Sequence, residues 1–139
     1  MPAQAAQPVV VMHVEDDAAV ATAVATLLRG EGYETLSARD GPQALAMLAG
    51  ERPPPDVLIL DCNLPGGMDG ADVAQEICHT LGHVVPAIFL SGELSNATLP
   101  WLPGAPLLFA SKPLDPEILL ATVAAFAALG RVIRRRPAH

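Results

Sequence analysis

Residues 57–61, VLILD, indicate the fold class of this chain. The segment has four consecutive apolar residues followed by an aspartate, with no alternation of polar and apolar positions. A continuous apolar run is typical of a parallel strand that is covered by helices on both faces. Because ligands of such sheets bind at the carboxyl ends of the strands, Asp61 is predicted to lie at the functional edge.

Four further apolar runs flank this segment, and helix-like stretches separate them. The predicted strands are residues 9–14, 33–38, 57–60, 87–90 and 107–110. The run at 33–38 alternates in polarity, as an edge strand does. Five strand-helix alternations predict a (βα)5 α/β domain, which is a doubly wound, parallel, five-stranded sheet with right-handed crossovers.

Capping residues mark the predicted helices. Aspartates that can accept hydrogen bonds from free backbone N–H groups precede four of them, at Asp17, Asp40, Asp69 and Asp115. Glycines stand where the helices are expected to end, at Gly30 or Gly32, Gly50, Gly82 and Gly130. In residues 92–106, three prolines allow only a turn or two, so we expect a shortened or irregular fourth helix. Trp101 there either fills the gap or anchors a partner, and we favour the first.

Composition excludes several classes of protein. A chain of 139 residues, 51% of them hydrophobic, is expected to form one domain at 9–130, between a flexible N-terminal segment at 1–8 and a basic C-terminal tail at 131–139. We find no signal peptide and no apolar run near the ~20 residues of a membrane span, so we expect a cytoplasmic protein without membrane contact. The formal charge of −7 argues against binding to nucleic acid. Cys62 and Cys78 are expected to be reduced core residues.

The last predicted helix has more apolar residues than one core-facing stripe requires. They are Ile118, Leu119, Leu120, Val123, Phe126, Leu129 and Ile133. The excess indicates either a homodimer or docking face on this helix, or core packing alone.

Chemically useful side chains gather at the strand ends. Glu15 and Asp16 follow the first strand, Asp61 follows the third apolar run, Ser91 follows the fourth, and Lys112 comes just after the fifth. In a parallel sheet these positions converge on one edge. Carboxylates brought so close repel one another, and a bound cation would remove the conflict.

The donor set suits Mg²⁺, with Mn²⁺ as a substitute, because Mg²⁺ prefers oxygen ligands and retains several waters. Asp16 and Asp61 are the expected direct ligands, together with the backbone carbonyl of Asn63, and Glu15 is expected to hold a metal-bound water. Phosphoryl transfer is a reaction that such a site can run, since it needs charge neutralisation more than covalent work. Asp61 is then the nucleophile, while Lys112 and Ser91 bind phosphoryl oxygens.

Four motifs in this order resemble the receiver domains of response regulators in two-component signalling. They are VEDD at 14–17, LDCNLPGGMDG at 60–70, FLSGE at 89–93 and FASKPLD at 109–115, and the resemblance extends from about Val9 to Leu129. It implies a single-domain, CheY-like receiver with the flavodoxin-like strand order 2-1-3-4-5. The implied partner is a sensor histidine kinase or a histidine phosphotransferase.

The resemblance also assigns roles to single residues. Ser91 and Phe109 correspond to the pair that moves on phosphorylation, and Asn63 and Glu93 to positions that tune the lifetime of the acyl phosphate. An amide and a carboxylate there could orient an attacking water, so we expect a short lifetime. The Lys112–Pro113 peptide bond is expected to be cis. The unusual fourth helix puts in doubt the family's common output face, which includes that helix.

Three other functions fit the residues less well. A flavodoxin-like cofactor protein needs a hydroxyl- and glycine-rich phosphate loop where this chain has Glu15, Asp16 and Asp17. A phosphatase with an aspartate nucleophile needs a cap or substrate pocket, for which this chain is too short. A degenerate receiver that only binds proteins would not need Ser91 and Lys112.

We therefore expect a signalling phosphoacceptor that catalyses only its own phosphorylation and dephosphorylation. Output is expected through an unknown downstream protein or through phosphorelay, because no effector domain fits after Leu129. The start at Met1 and the short arginine-rich end favour a complete protein over a receiver from a hybrid kinase.

Overall fold

A computed structural model describes residues 7–50, 52–92 and 104–135. The strands are β1 Val10–Val14, β2 Glu34–Ala38, β3 Val57–Asp61, β4 Ala87–Ser91 and β5 Leu107–Ser111. The helices are α1 Ala18–Gly30, α2 Gly41–Ala46, α3 Gly70–Leu81 and α4 Pro116–Arg135. All five predicted strands form, each within one residue of its predicted ends. The fourth helix expected between β4 and β5, with Glu93 and Trp101, lies mainly outside the described residues.

The five strands form one sheet in the order β2-β1-β3-β4-β5, and every neighbouring pair is parallel. This confirms the predicted doubly wound fold and the position of β2 at an edge. Strand order reverses between β1 and β3, the place where sheets of this kind bind ligands.

An apolar layer covers each face of the sheet and packs it against a pair of helices. On one face, β-strand residues pack with Ala44 of α2 and with Val73 and Ile77 of α3. On the other face, they pack with Leu28 of α1 and with Leu119, Val123 and Ala127 of α4. The strands β1 and β3 are buried along their whole length because both faces are covered, which explains their unbroken apolar sequences.

The predicted helix starts are confirmed in atomic detail. Asp17 accepts hydrogen bonds from the backbone N–H groups at the start of α1, and Asp69 forms a reciprocal capping box with Asp72. Asp40 and Asp115 also accept backbone hydrogen bonds, at α2 and α4. Gly82 ends α3 with a φ of 78°, but α2 already ends at Ala46, before Gly50.

The prediction that Gly130 ends the last helix is wrong, because α4 continues to Arg135. A Cβ atom at Gly130 would lie 2.6 Å from the carbonyl oxygen of Asp56 and 3.2 Å from Cδ of Pro86. The glycine therefore permits close approach of the helix to the start of β3. Residues 131–135, predicted to belong to a tail, continue this helix.

An ion-pair cluster fixes this end of α4. The side chain of Asp56 is 2% exposed, and it lies 3.6 Å from Arg131 Nη2 and 3.0 Å from Arg134 Nη2. Neither contact has hydrogen-bond geometry, but Asp56 Oδ2 accepts a hydrogen bond from the backbone N–H of Val10. Arg131 also donates to the carbonyl of Gln7. The cluster therefore joins the N-terminal end of β1, the start of β3 and the C-terminal end of α4.

The extension of α4 also corrects the expectation about membranes. Residues Pro116–Arg134 form a helix that is long and apolar enough, by length and composition, to cross a bilayer. Leu119, Val123 and Ala127 on its inner side nevertheless belong to the core beneath the sheet. Only 22% of this segment is buried, and the expected cytoplasmic location stays a prediction.

Candidate functional site

The candidate site lies at the carboxyl edge of the sheet. Glu15 directly follows β1, Asp61 is the last residue of β3, Ser91 is the last residue of β4, and Lys112 directly follows β5. The backbone N–H of Lys112 donates to the carbonyl of Ser91, which holds the ends of β4 and β5 together. Parallel pairing therefore brings these four positions to one edge, as the sequence predicted.

Asp61 is held by two hydrogen bonds. Its Oδ1 atom accepts from the backbone N–H of Asn63 at 3.0 Å, and its Oδ2 atom accepts from Lys112 Nζ at 2.8 Å. Lys112 Nζ also lies 3.1 Å from Glu15 Oε1, so one ammonium bridges two nearly buried carboxylates. The Lys112–Pro113 peptide bond is cis, as predicted.

Three carboxylates of this site are close enough to share a cation. Oxygen atoms of Glu15, Asp16 and Asp61 all lie within 4.8 Å of one another. Glu15 and Asp61 are buried, whereas Asp16 is exposed. Among the described residues, a single ammonium, that of Lys112, is bonded to this set. The net negative charge and the all-oxygen donor set fit a hard divalent cation.

Burial and neighbouring charges change the pKa values of both Glu15 and Lys112. Burial raises the pKa of Glu15 above its usual value, although hydrogen bonds from Asp17 N–H and Lys112 oppose the change. Burial alone would lower the pKa of Lys112, but the hydrogen bonds and charges of Asp61 and Glu15 outweigh it and raise that pKa. Lys112 is therefore firmly cationic at neutral pH.

Two residues near the site were not assigned a role from the sequence. His13 is 3% exposed on β1, and burial, with the nearby charge of Lys112, lowers its pKa to about 4, so it is neutral at physiological pH. Gly70, the first residue of α3, lies against the carbonyl of Asp61, and a Cβ atom there would clash with the backbone. The sequence motif contains Gly70, but only the packing of α3 explains it.

Ser91 and Phe109 lie on the same face of the sheet. Ser91 is fully buried, and Phe89 lies two residues before it. Phe89 pairs with Phe109 across the sheet, and the two rings stack with centroids 4.8 Å apart and an interplanar angle of 13°. Phe109 is half-buried and packs against the core on the α2 and α3 side. Side chains two residues apart on a strand point to the same face, so this stack lies behind Ser91.

In the structure, side-chain atoms of Glu15, Asp16, Asp61 and Lys112 lie close together. Ser91 stands at the same edge, and Asn63 contacts Asp61 through its backbone N–H. The carbonyl of Asn63 as a metal ligand and the roles of Ser91, Phe109 and Asn63 stay predictions. Glu93 lies outside the described residues.

Comparisons with known proteins agree with this fold. The family model described as response regulator receiver domain matches residues 11–124. The DNA-binding response regulator MtrA of Mycolicibacterium paratuberculosis is 34% identical over 116 residues, which is 83% of this chain and 49% of that protein. The chain thus spans about half the length of this curated relative.

Solved structures agree as well. A putative response regulator from Chloroflexus aurantiacus J-10-fl is 32% identical, with a TM-score of 0.73 over 88% of this chain and 99% of that one. The chemotaxis protein CheY4 of Vibrio cholerae is 28% identical, with a TM-score of 0.70 over 86% and 99% of the two chains.

Proposed function

Because this chain belongs to the response regulator receiver family, we propose that Asp61 accepts a phosphoryl group from the phosphohistidine of a sensor histidine kinase or a histidine phosphotransferase. The observation that carries this proposal is the contact of 2.8 Å between Lys112 Nζ and Asp61 Oδ2, beside two further carboxylates. The Asp61 carboxylate, the nucleophile, thus lies beside an ammonium that can pair with phosphoryl oxygens. It also belongs to a set of oxygen donors that suits a metal ion.

The chain's own residues account for the transfer. A carboxylate oxygen of Asp61 attacks phosphorus, the bond from phosphorus to the imidazole nitrogen of the donor breaks, and an acyl phosphate forms. Lys112, which is held cationic by Asp61 and Glu15, pairs with a phosphoryl oxygen and offsets the charge that arrives. The hydroxyl of Ser91 takes another oxygen.

The acidic residues fit Mg²⁺, with Mn²⁺ as a substitute. Asp16 and Asp61 would bind it directly, with the carbonyl of Asn63, and Glu15 would bind through a water. When bound, the cation would neutralise the repulsion among the carboxylates and the phosphoryl group.

The switch and the decay of the phosphorylated form involve the remaining predicted residues. We propose that Ser91 moves toward the phosphoryl group and that Phe109, stacked on Phe89 behind it, changes position. Asn63 and Glu93 are proposed to orient the water that hydrolyses the acyl phosphate, in a reaction that the domain itself catalyses.

Output is proposed to pass to an unknown downstream protein or along a phosphorelay. MtrA is named as DNA-binding, and this chain matches about half of it. The charge of −7 opposes contact between this domain and a polyanion, so we propose a protein partner for the domain.

Phosphorylation by a small-molecule donor tests the proposal. The chain is incubated with acetyl phosphate and Mg²⁺, and the phosphorylated fraction is measured by intact mass. We expect labelling of the unaltered chain, none for Asp61→Asn, and a strong reduction with a chelator. Asp16→Asn should also reduce labelling, whereas Asp17→Asn, which alters only the cap of α1, should not. Labelling of the Asp61→Asn chain at the unaltered rate would refute the proposal.

A further inference from the structure

A buried histidine near the candidate site has no role in the proposed transfer. His13 is the fourth residue of β1 and is only 3% exposed. Its Nδ1 atom is buried and has no hydrogen-bond partner among the described residues. A buried polar atom without a partner destabilises a fold, so a native structure that keeps one needs an explanation. An apolar side chain at position 13 would serve the core better.

The alternation of β1 places His13 on the same face of the sheet as Glu15. Side chains two residues apart on a strand share a face, and Glu15 continues the pairing with β2 because its backbone N–H donates to the carbonyl of Ala38. Val11, two residues before His13, packs on the side of α1 and α4. His13 and Glu15 are thus about 6.6 Å apart along the strand, a gap that an imidazole and a glutamate side chain can close.

The surroundings keep this imidazole neutral. Burial, together with the positive charge of Lys112, lowers the pKa of His13, and the charge of Asp61 opposes the change. A neutral imidazole has one N–H group, so it can donate one hydrogen bond to a carboxylate. In the structure described here, Glu15 and Asp61 are both bonded to the ammonium of Lys112 instead.

Phosphorylation would remove that ammonium from Glu15. Under the proposed function, on which this inference rests, Lys112 pairs with a phosphoryl oxygen. Glu15 is 3% exposed, and among the described residues it then retains only the backbone N–H of Asp17, at 3.3 Å. A buried carboxylate that loses its partner is strongly destabilising. We propose that His13 is a positioning residue whose Nδ1–H then donates to Glu15 and holds this carboxylate beside Asp61.

The proposal explains why the unpartnered nitrogen is kept. Glu15 is expected to bind the cation only through a water, so its orientation depends on the groups that hydrogen-bond to it. Removal of such outer partners of a metal site typically costs 10–100-fold in affinity or activity. His13 therefore lowers the stability of the resting chain and favours the phosphorylated one.

Substitutions at position 13 test this trade. His13→Val removes the unpartnered nitrogen, so it should raise the midpoint of urea unfolding in a chelator. The same variant should bind beryllofluoride, a mimic of the acyl phosphate, about tenfold or more weakly in Mg²⁺. His13→Asn should restore most of this affinity, because the amide nitrogen of asparagine is a donor that can take nearly the place of Nδ1. Calorimetry measures the affinities and circular dichroism the unfolding.

Thr35→Val is the matched control. The hydroxyl oxygen of Thr35 is also buried without a hydrogen-bond partner in the part of the chain that the structure describes. Thr35 pairs with Val11, away from the carboxyl edge of the sheet. This variant should also raise the midpoint of unfolding, but it should bind beryllofluoride as tightly as the unaltered chain does.

Nuclear magnetic resonance of the imidazole gives a direct readout. With beryllofluoride and Mg²⁺, we expect a slowly exchanging Nδ1–H proton of His13, which is assigned by its absence from the His13→Val chain. An Nδ1 atom without a proton in the loaded chain would overturn the proposal.

The affinities separate this proposal from the proposed function. Equal affinity of His13→Val and the unaltered chain would refute the role of His13, and so would equally weak binding by His13→Asn. A His13→Val chain that loses stability together with affinity would make His13 a structural residue and also overturn the proposal. If the unaltered chain neither binds beryllofluoride nor is labelled at Asp61, the proposed function fails and this inference fails with it.

Discussion

The close packing of α4 on β3 predicts opposite effects for two glycine-to-alanine substitutions. In an ordinary helix, this change stabilises by up to about 1 kcal/mol because alanine has the higher helix propensity. Gly30, at the end of α1, has no atom within 4 Å of the position that a Cβ would occupy. Gly30→Ala is therefore expected to leave the free energy of unfolding unchanged or to raise it slightly.

Gly130→Ala should instead destabilise the fold. The new Cβ would lie 2.6 Å from the backbone oxygen of Asp56, a distance that requires the helix or the strand to move. Overpacking of this kind costs about 1–3 kcal/mol, and the gain in helix propensity offsets about 1 kcal/mol of it. Any movement also weakens the ion pairs of Asp56 with Arg131 and Arg134. We expect a net loss of about 1–2 kcal/mol from these terms.

Urea unfolding followed by circular dichroism measures the difference. With a urea dependence of about 1–3 kcal/mol per molar, typical of a small domain, a loss of this size lowers the midpoint by roughly 0.3–2 M. The slope should be the same for both variants. If Gly130→Ala is as stable as Gly30→Ala, the glycine is not required for close approach and the reasoning fails.

Three further predictions follow from the two charged clusters and from the thiols. Asp56→Asn should lower the free energy of unfolding by about 2–4 kcal/mol, because it leaves two arginines without their buried counter-charge. Labelling at Asp61 by acetyl phosphate should stay within about twofold of the unaltered chain. The Lys112→Met variant should be less stable than the unaltered chain in a chelator, and added Mg²⁺ should restore most of the lost stability, as measured by thermal melts. Equal losses in both conditions would contradict the shared-cation geometry. The Cys78 thiol, whose pKa burial raises, should be alkylated by iodoacetamide at pH 8 far more slowly in the folded chain than in urea; equal rates would show that it is accessible.

The sequence predicted those features that depend on local pattern. The strands, their parallel pairing, the aspartate caps and the meeting of Glu15, Asp61 and Lys112 follow from apolar runs and from residues at strand ends. Each of these depends on neighbours in the chain or on a rule that holds for every parallel sheet.

What the sequence did not predict depends on contacts between distant segments. Gly130 has the same local signature as a helix-ending glycine, and only its approach to Asp56 identifies its function. The length of α4 was underestimated for the same reason, since Arg131 and Arg134 are held in the helix by a carboxylate far away in the chain. Burial of His13 beside the site also requires the folded sheet.

Ion pairs at the two ends of β3 connect this strand to the last helix and to the segment just before it. Asp56, directly before β3, holds Arg131 and Arg134 near the far end of α4, and Asp61, at the other end of β3, holds Lys112 just before α4 begins. A phosphoryl group on Asp61 would draw Lys112 to a new oxygen, while the arginines stay where they are. We therefore expect the helix to pivot about its C-terminal turn, so that displacement is greatest near Pro116 and vanishes near Arg134.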